Sequence, residues 1–399
     1  MSISADSRGG FSLLDTQTAF ASRSNAELQK MEWLFALMNN PGLNKLAIKL
    51  MMTAIKWHLP VKFLIKKTIF NHFCGGETLE DCALTMKKLA DFRIGTILDY
   101  SVEGEKTEEA FDRVFQETLG TIQMAAREEM VPFAVFKTSG ICSADTMEKA
   151  QAGHQLSEAE ARSLEKGRSR FAGICKEAGN LGVKLFVDAE ETWIQGLIDS
   201  WTYEEMQKHN RGKALIFNTY QMYRADMLQN LKSAAERAAA GGYMLGCKLV
   251  RGAYMEKEAA YAGKKGIPCL IQPNKESCDR DFDLAWKFCL DHLDTIHFCA
   301  GSHNEKSNEE LASAIMTRGI ERNHPGIWFA QLYGMSDNIS YSLSKAGFNV
   351  AKYVPYGPVY SVMPYLVRRA AENTSVAGQT SRELNLIRLE RKRRANNKR

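Results

Sequence analysis

Lys184-Leu-Phe-Val187, Ala214-Leu-Ile-Phe217 and Tyr243-Met-Leu-Gly-Cys-Lys-Leu-Val250 are short apolar runs, each set apart from the next by a longer stretch with helical spacing. Runs apolar at nearly every position belong to strands buried on both faces, and helices between such strands imply parallel pairing. The pattern extends in both directions. Upstream lie Ile94-Gly-Thr-Ile-Leu98 and Phe133-Ala-Val-Phe136; downstream lie Ile296-His-Phe-Cys299, Gly326-Ile-Trp-Phe-Ala330 and Val350-Ala-Lys-Tyr-Val354. Eight strand–helix units in series predict an α/β fold of the (β/α)8 barrel type. The competing doubly wound sheet wants a glycine-rich fingerprint after its first strand. Asp99-Tyr-Ser-Val-Glu103 offers none.

Before residue 92 the pattern differs. Leu28–Leu37, Leu43–Lys56 and, after the Gly75-Gly76 break, Thr78–Leu89 have apolar residues at three- and four-residue spacing with lysines opposite, which predicts helices. The expected organisation is a flexible start over 1–23, a helical region over 24–91, the barrel over 92–380 and a basic tail over 381–399. With 45% apolar and 25% charged residues in 399, disordered and fibrous classes are excluded.

The net charge of +5 is concentrated at one end. The last twelve residues hold Arg388, Arg391, Lys392, Arg393, Arg394, Lys398 and Arg399 against Glu390 alone, a surplus of six, so everything before them sums to −1. A near-neutral body argues against nucleic acid as a partner. Nine cysteines without a C-x-x-C pair, and no apolar leader, are expected of reduced thiols in a cytoplasmic-type compartment without a metal site. The most apolar stretch, 46–73, is interrupted by lysines and Pro60. It falls short of the ~18 apolar residues that span a bilayer. The Lys-rich segment 43–67 and the tail from Arg388 are candidates for peripheral docking on anionic lipid, the alternative for the tail being a solubilising role.

Chemistry in such a barrel gathers at the C-terminal ends of the strands. Every one of the eight ends here is polar: Asp99, Lys137, Asp188 with Glu190 and Glu191, Asn218 with Gln221, Arg251, Ser302-His303-Asn304, Gln331 with Tyr333, and Tyr353. Loop starts that cap the following helices account for some of these. Lys137 reads as a snorkelling lysine, a cation paired with Asp188, or an imine-forming amine. In Arg251-Gly-Ala-Tyr254 two small residues would let a flat ligand approach the backbone closely. Beyond the last strand, Tyr365, Arg368, Arg369 and Glu372 fall at i, i+3, i+4 and i+7, one stripe of a helix. Two guanidinium groups on one stripe suit a planar carboxylate, and a solvated Arg–Glu face is the alternative.

Taken together, Phe136-Lys137, Asp188-Ala-Glu-Glu191, Lys248-Leu-Val-Arg-Gly-Ala-Tyr254, Ser302-His-Asn304, Gln331-Leu-Tyr-Gly-Met335, Tyr353 and Tyr365-Leu-Val-Arg-Arg-Ala-Ala-Glu-Asn373 resemble the proline dehydrogenase family of flavoenzymes, from about residue 92 to 375. The resemblance implies a distorted (β/α)8 barrel holding FAD. It further implies oxidation of L-proline to Δ1-pyrroline-5-carboxylate, with electrons passed to a membrane quinone. By position, Lys137, Asp188, Arg368 and Arg369 are the expected catalytic set, with the two arginines on the substrate carboxylate and Lys137 near it. Ala253, Leu332, Tyr353 and Tyr365 are expected to line the ring pocket. Asn218, Lys248, Val250, Arg251, Gly252, Ala253, Ser302, His303, Asn304, Arg369 and Glu372 match flavin-contacting positions. Asn218 stands where bacterial bifunctional relatives carry Gln, and Lys248 where they carry Arg. A chain of this length is expected to be monofunctional, with pyrroline-5-carboxylate dehydrogenase on a separate chain.

Two other functions compete, and a third reading, a non-catalytic membrane- or partner-binding helical protein based on the amphipathic N-terminal region and basic tail, leaves the strand-end residues unexplained. Family members specialised for hydroxyproline carry a small residue at the Tyr353 position, so hydroxyproline dehydrogenase is the near alternative. A Schiff-base aldolase barrel using Lys137 is the alternative from another class.

Overall fold

The structure is a computed structural model. It describes residues 11–57, 59–102, 106–375 and 379–397. Eight parallel strands close in chain order, as the apolar runs predict: β1 (Gly95–Tyr100), β2 (Phe133–Lys137), β3 (Lys184–Asp188), β4 (Ile216–Gln221), β5 (Leu245–Val250), β6 (Ile296–Gly301), β7 (Ile327–Leu332) and β8 (Val350–Tyr356). The helices before β1 are α1 (Thr16–Ala19), α2 (Asn25–Met38), α3 (Pro41–Lys56), α4 (Lys62–Ile65), α5 (Asn71–Phe73) and α6 (Ala83–Ala90). Between strands run α7 (Glu108–Arg127), α8 (Ala144–Gln151) with α9 (Glu158–Leu181), α10 (Thr192–His209), α11 (Met227–Gly241), α12 (Met255–Lys265) with α13 (Lys275–Asp291), α14 (Glu305–Thr317) and α15 (Asp337–Lys345). Then follow α16 (Met363–Ser375) and α17 (Gln379–Asn396).

Local chemistry sets the helix ends. Ser24 and Ser157 begin α2 and α9 with reciprocal capping boxes to Glu27 and Glu160. Asn40 accepts from the Leu43 amide, and Pro41 supplies the first residue of α3.

The chain forms two compact units: residues 96–100 with 104–330, and residues 1–95, 101–103 and 331–399. In the first, the barrel interior is filled by rings. Phe133 stacks on Phe186 at 4.1 Å between centroids, and Phe217 meets both edge-on at 5.4 and 5.6 Å. The β2–β3 register sets Lys137 opposite Asp188. Phe186 thus defines the inward phase of β3, and Asp188, two residues on, shares that face.

The second unit joins both ends of the chain around a buried group of charges. Lys352, in the middle of β8, is 0% exposed, and its ammonium lies 3.0 Å from Asp337 of α15. Asp337 also takes the Arg23 guanidinium at 3.1 Å. Glu383 of α17 accepts the Ser336 amide, and His72 donates Nε2–H to the Gly334 carbonyl at 2.9 Å. The termini differ from the sequence expectation. Residues 16–19 are helical, Thr16 donating to Glu390 at 3.0 Å. Gln379–Asn396 is a helix, not a loose tail: Arg388 and Arg391 pair with Glu32 of α2, while Arg393 and Arg394 hold Glu390.

Burial pushes the Glu383 carboxyl up from 4.5 to about 7. As pH rises past 4.5 the unfolded chain releases this proton while the fold keeps it, so the stability it contributes is full below 4.5 and lost on the way to about 7. His72, buried and held down at about 4, works in the opposite direction between 4 and its ordinary 6.5. The informative quantity is therefore a difference. Glu383→Gln is expected to gain stability over the parent with rising pH, by up to ~1.4 kcal/mol per pH unit within that window. Urea midpoints of both proteins across the window check this, and parallel curves would refute it.

Candidate active site

In the first unit, charge collects where β2, β3 and β5 end. The Lys137 ammonium, half-buried, lies 3.9 Å from the Asp99 carboxylate at the end of β1 and across from Asp188 in the register. Asp188 takes the Lys248 ammonium, which itself sits 5.1 Å above the Phe186 ring. Beyond Asp188 the chain buries Glu190, which accepts the amide and hydroxyl of Ser139. Desolvation pushes its carboxyl up to about 7, against the pull of these hydrogen bonds and of Lys137. Two lysines and three carboxyl groups thus share one end of the barrel.

One expected residue points elsewhere. Asn218 donates from its amide to Asp199 on α10 at 2.8 Å, and Tyr220, two residues on, meets Tyr203 of the same helix. Alternation along β4 puts both on the outer face and Phe217, Thr219 and Gln221 on the inner one. The Asn218 side chain, expected at the cofactor, is thus engaged with α10. Gln221 is the inward residue, donating to the Glu190 carbonyl at 2.8 Å.

After β5 the backbone rises over Tyr223. Gly252 has φ +120°, and a Cβ there would sit 2.4 Å from the Tyr223 ring, so glycine is required on both counts. Gly252 and Ala253 are exposed, following the half-buried Val250 and Arg251. The Tyr223 hydroxyl below is buried and has no hydrogen-bond partner among the described residues. Arg251 is turned toward α13 and α14: Nε meets Asp279 at 2.6 Å, Nη1 donates to Ser302 at 2.7 Å and Nη2 to Ser307 at 2.9 Å. Ser302 also accepts the Asn304 amide, and Asn304 caps α14, leaving the half-buried His303 between them in the chain.

In the second unit, α16 carries Tyr365 and Arg369, both buried, and Arg368, half-buried. The Arg369 guanidinium lies 5.3 Å over the Tyr365 ring, an arrangement that fixes the plane of the fork. Tyr353 is buried on the face of β8 opposite Lys352, and its carbonyl accepts the Tyr333 amide at 2.9 Å. Leu332 packs on the core cluster that includes Tyr365, Leu366 and Ala370. The Glu372 side chain lies outside the described residues.

Asp99, Glu190, Gln221 and Tyr223 were not among the residues singled out as catalytic or binding. For Glu190 the signal was present, since it follows Asp188 by two on the same polar end. Tyr223 carried none, because its role arises from the backbone of Gly252 above it.

Residues 82–382 match the sequence model of a family described as proline dehydrogenase. The chain is 36% identical over 322 residues to the carbapenem antibiotics biosynthesis protein CarD of Pectobacterium carotovorum subsp. carotovorum, covering 81% of this chain and 83% of that one. It is 29% identical over 427 residues to the mitochondrial proline dehydrogenase 1 of Dictyostelium discoideum, covering 96% and 75%. In fold it is similar to proline utilization A (PutA) of Bdellovibrio bacteriovorus, with a TM-score of 0.70 at 20% identity over 90% of this chain; it spans 38% of that longer protein. Among the described residues, no helix is long and apolar enough to cross a membrane. With the family match running over most of its length, and the closed eight-stranded barrel carrying polar side chains at its strand ends, the chain belongs to the proline dehydrogenase family of oxidoreductases.

Proposed function

We propose that the chain oxidises L-proline to Δ1-pyrroline-5-carboxylate, using FAD as its cofactor and a quinone as the final acceptor. The observation that carries the reading is the pair Arg368 and Arg369 on a packed helix, with Arg369 oriented by Tyr365. A zwitterionic amino acid presents one carboxylate, and a forked pair of guanidinium groups binds it with direction as well as charge.

The residues present fit the cofactor. Exposed Gly252 and Ala253 form a backbone platform, and the buried Tyr223 hydroxyl beneath it has no hydrogen-bond partner among the described residues. Val250, Gly252, Ala253, Gln221, Lys248 and His303 would hold FAD, while Arg251, Ser302 and Asn304 brace the loops on either side. Bound there, FAD supplies the two-electron acceptor. The chain's own work is positioning. Oxidation takes a hydride from the ring carbon beside nitrogen and a proton from nitrogen, turning the C–N single bond into C=N. Arg368 and Arg369 hold the carboxylate, and Tyr353, Tyr365 and Leu332 enclose the ring, so that the reacting carbon has one orientation. The carboxylates around Lys137 favour it as a cationic anchor over an imine-forming amine.

The purified protein is expected to show the visible absorption of an oxidised flavin, bleached by L-proline. A colourless protein that forms a borohydride-trapped adduct at Lys137 would replace this reading with the aldolase one. Arg368→Met and Arg369→Met each remove a charge-assisted contact of ~1.5–3 kcal/mol. The expected result is roughly ten- to a hundredfold weaker proline binding with the fold retained. Unchanged proline KM in both variants would refute the carboxylate assignment.

Ring selectivity is assigned to Tyr353. A hydroxyl added to the ring must fit beside a buried phenol, and overpacking of this kind costs about 1–3 kcal/mol. The parent is expected to prefer L-proline over trans-4-hydroxy-L-proline. Tyr353→Ser is expected to narrow the preference, chiefly by weakening proline. Steady-state kinetics with both substrates check this, and an unchanged ratio rules Tyr353 out as the selector.

A further inference from the structure

From Trp33 to Gly76 the chain contains no aspartate or glutamate, and it carries six lysines: Lys45, Lys49, Lys56, Lys62, Lys66 and Lys67. The fold sorts this stretch into faces. One side of α3, made by Asn44, Ile48, Met51 and Ile55, is turned inward. Ile48, Met51 and Ile55 pack on the core cluster that holds Tyr365, Leu366 and Ala370, and Asn44 donates to the Ala370 carbonyl at 2.8 Å. The other side is an apolar ridge open to solvent. Leu43, Leu46 and Leu50, at i, i+3 and i+7, are 51%, 53% and 61% exposed, and Trp57 just past the helix is 71% exposed. Phe63 and Leu64 of α4 extend the exposed apolar surface. Lys45, Lys49 and Lys56, at i, i+4 and i+11, run beside the ridge as a parallel stripe. Lys62 and Lys66 pair with Glu77, but Lys45, Lys49, Lys56 and Lys67 meet no carboxylate among the described residues.

We propose that this face of α3 and α4 docks on the surface of an anionic bilayer, with Leu43, Leu46, Leu50, Trp57 and Phe63 in the headgroup boundary and the lysines on lipid phosphates. Aliphatic and indole side chains flanked by lysines, on a helix that lies flat, are what the interface between water and lipid accepts. The sign of the charge selects the occupant. A second copy seated symmetrically on the ridge would bring lysine stripe against lysine stripe, whereas an anionic surface complements all of them. The arginines of the C-terminal helix are already engaged, since Arg388, Arg391, Arg393 and Arg394 are paired with Glu32 and Glu390. The docking helix leans through its buried face on α16, so the element carrying Arg368 and Arg369 is the next layer in from the lipid.

The test uses the full-length protein and is read without proline turnover, so its outcome is separate from that of the activity. Co-sedimentation is measured with vesicles of phosphatidylcholine containing phosphatidylglycerol and with vesicles of phosphatidylcholine alone, at low and high salt. The parent is expected to bind the anionic vesicles at low salt, with a blue shift of tryptophan emission that Trp57→Phe diminishes. Each lysine near an anionic surface contributes roughly fivefold, so Lys45→Gln/Lys49→Gln/Lys56→Gln is expected to weaken partitioning on the order of a hundredfold. Leu46→Glu/Leu50→Glu is expected to abolish it, with circular dichroism unchanged because all five positions are on the surface. No binding to anionic vesicles at low salt, equal binding to both vesicle types, or parental binding by both variants overturns the proposal. Self-association removed by Leu46→Glu/Leu50→Glu in a protein that ignores vesicles overturns it too, and assigns the ridge to a second copy.

Discussion

A strand of a closed barrel is covered on both faces, so a charge placed on it must be met by an opposite charge or leave the fold unstable. Lys352 of β8 and Lys248 of β5 are the buried lysines among the described strand residues, and each is met by a carboxylate. Asp337 answers Lys352 from α15 and brings Arg23 with it, which draws the start of the chain to the last barrel strand. Asp188 answers Lys248 from β3, and that pair lies at the strand ends where Lys137, Asp99 and Glu190 also gather. The same demand for paired charge that stabilises the fold thus also assembles the polar end of the barrel.

Burial acts on the carboxyl groups of the two clusters in two ways. Asp337, flanked by Lys352 and Arg23, is held down at about 2, while Glu383 and Glu190 are pushed up to about 7. All three are removed from water, and proximity to cations decides the direction. Glu190 accepts the amide and hydroxyl of Ser139 just past the end of β2, and desolvation outweighs these bonds and the pull of Lys137.

The helices outside the barrel repeat use both of their faces. One face of α3 completes the core on which Tyr365 and Leu332 pack, and the opposite face is left apolar and lysine-bordered. The terminal helix α17 closes on α2 through Glu32, so its arginines hold the structure together where their sequence suggested a free basic tail.

The eight strands were legible without any structure, because continuous apolar runs have no other comfortable place than a sheet buried on both sides. The polar residues ending them were legible for the same reason, each being the first break in such a run. The stripe of Tyr365, Arg368 and Arg369 followed from helical spacing alone. Strand phase was not legible. Where both faces are apolar, alternation leaves no mark, so nothing in Ile216-Phe-Asn-Thr-Tyr-Gln221 says that Asn218 faces α10 and Gln221 the interior. Nor were the partners of buried charges. Lys248 with Asp188, Lys352 with Asp337 and Arg23, and Arg388 with Glu32 are joined across large sequence separations, and only closure of the chain in three dimensions decides which opposite charge each one meets.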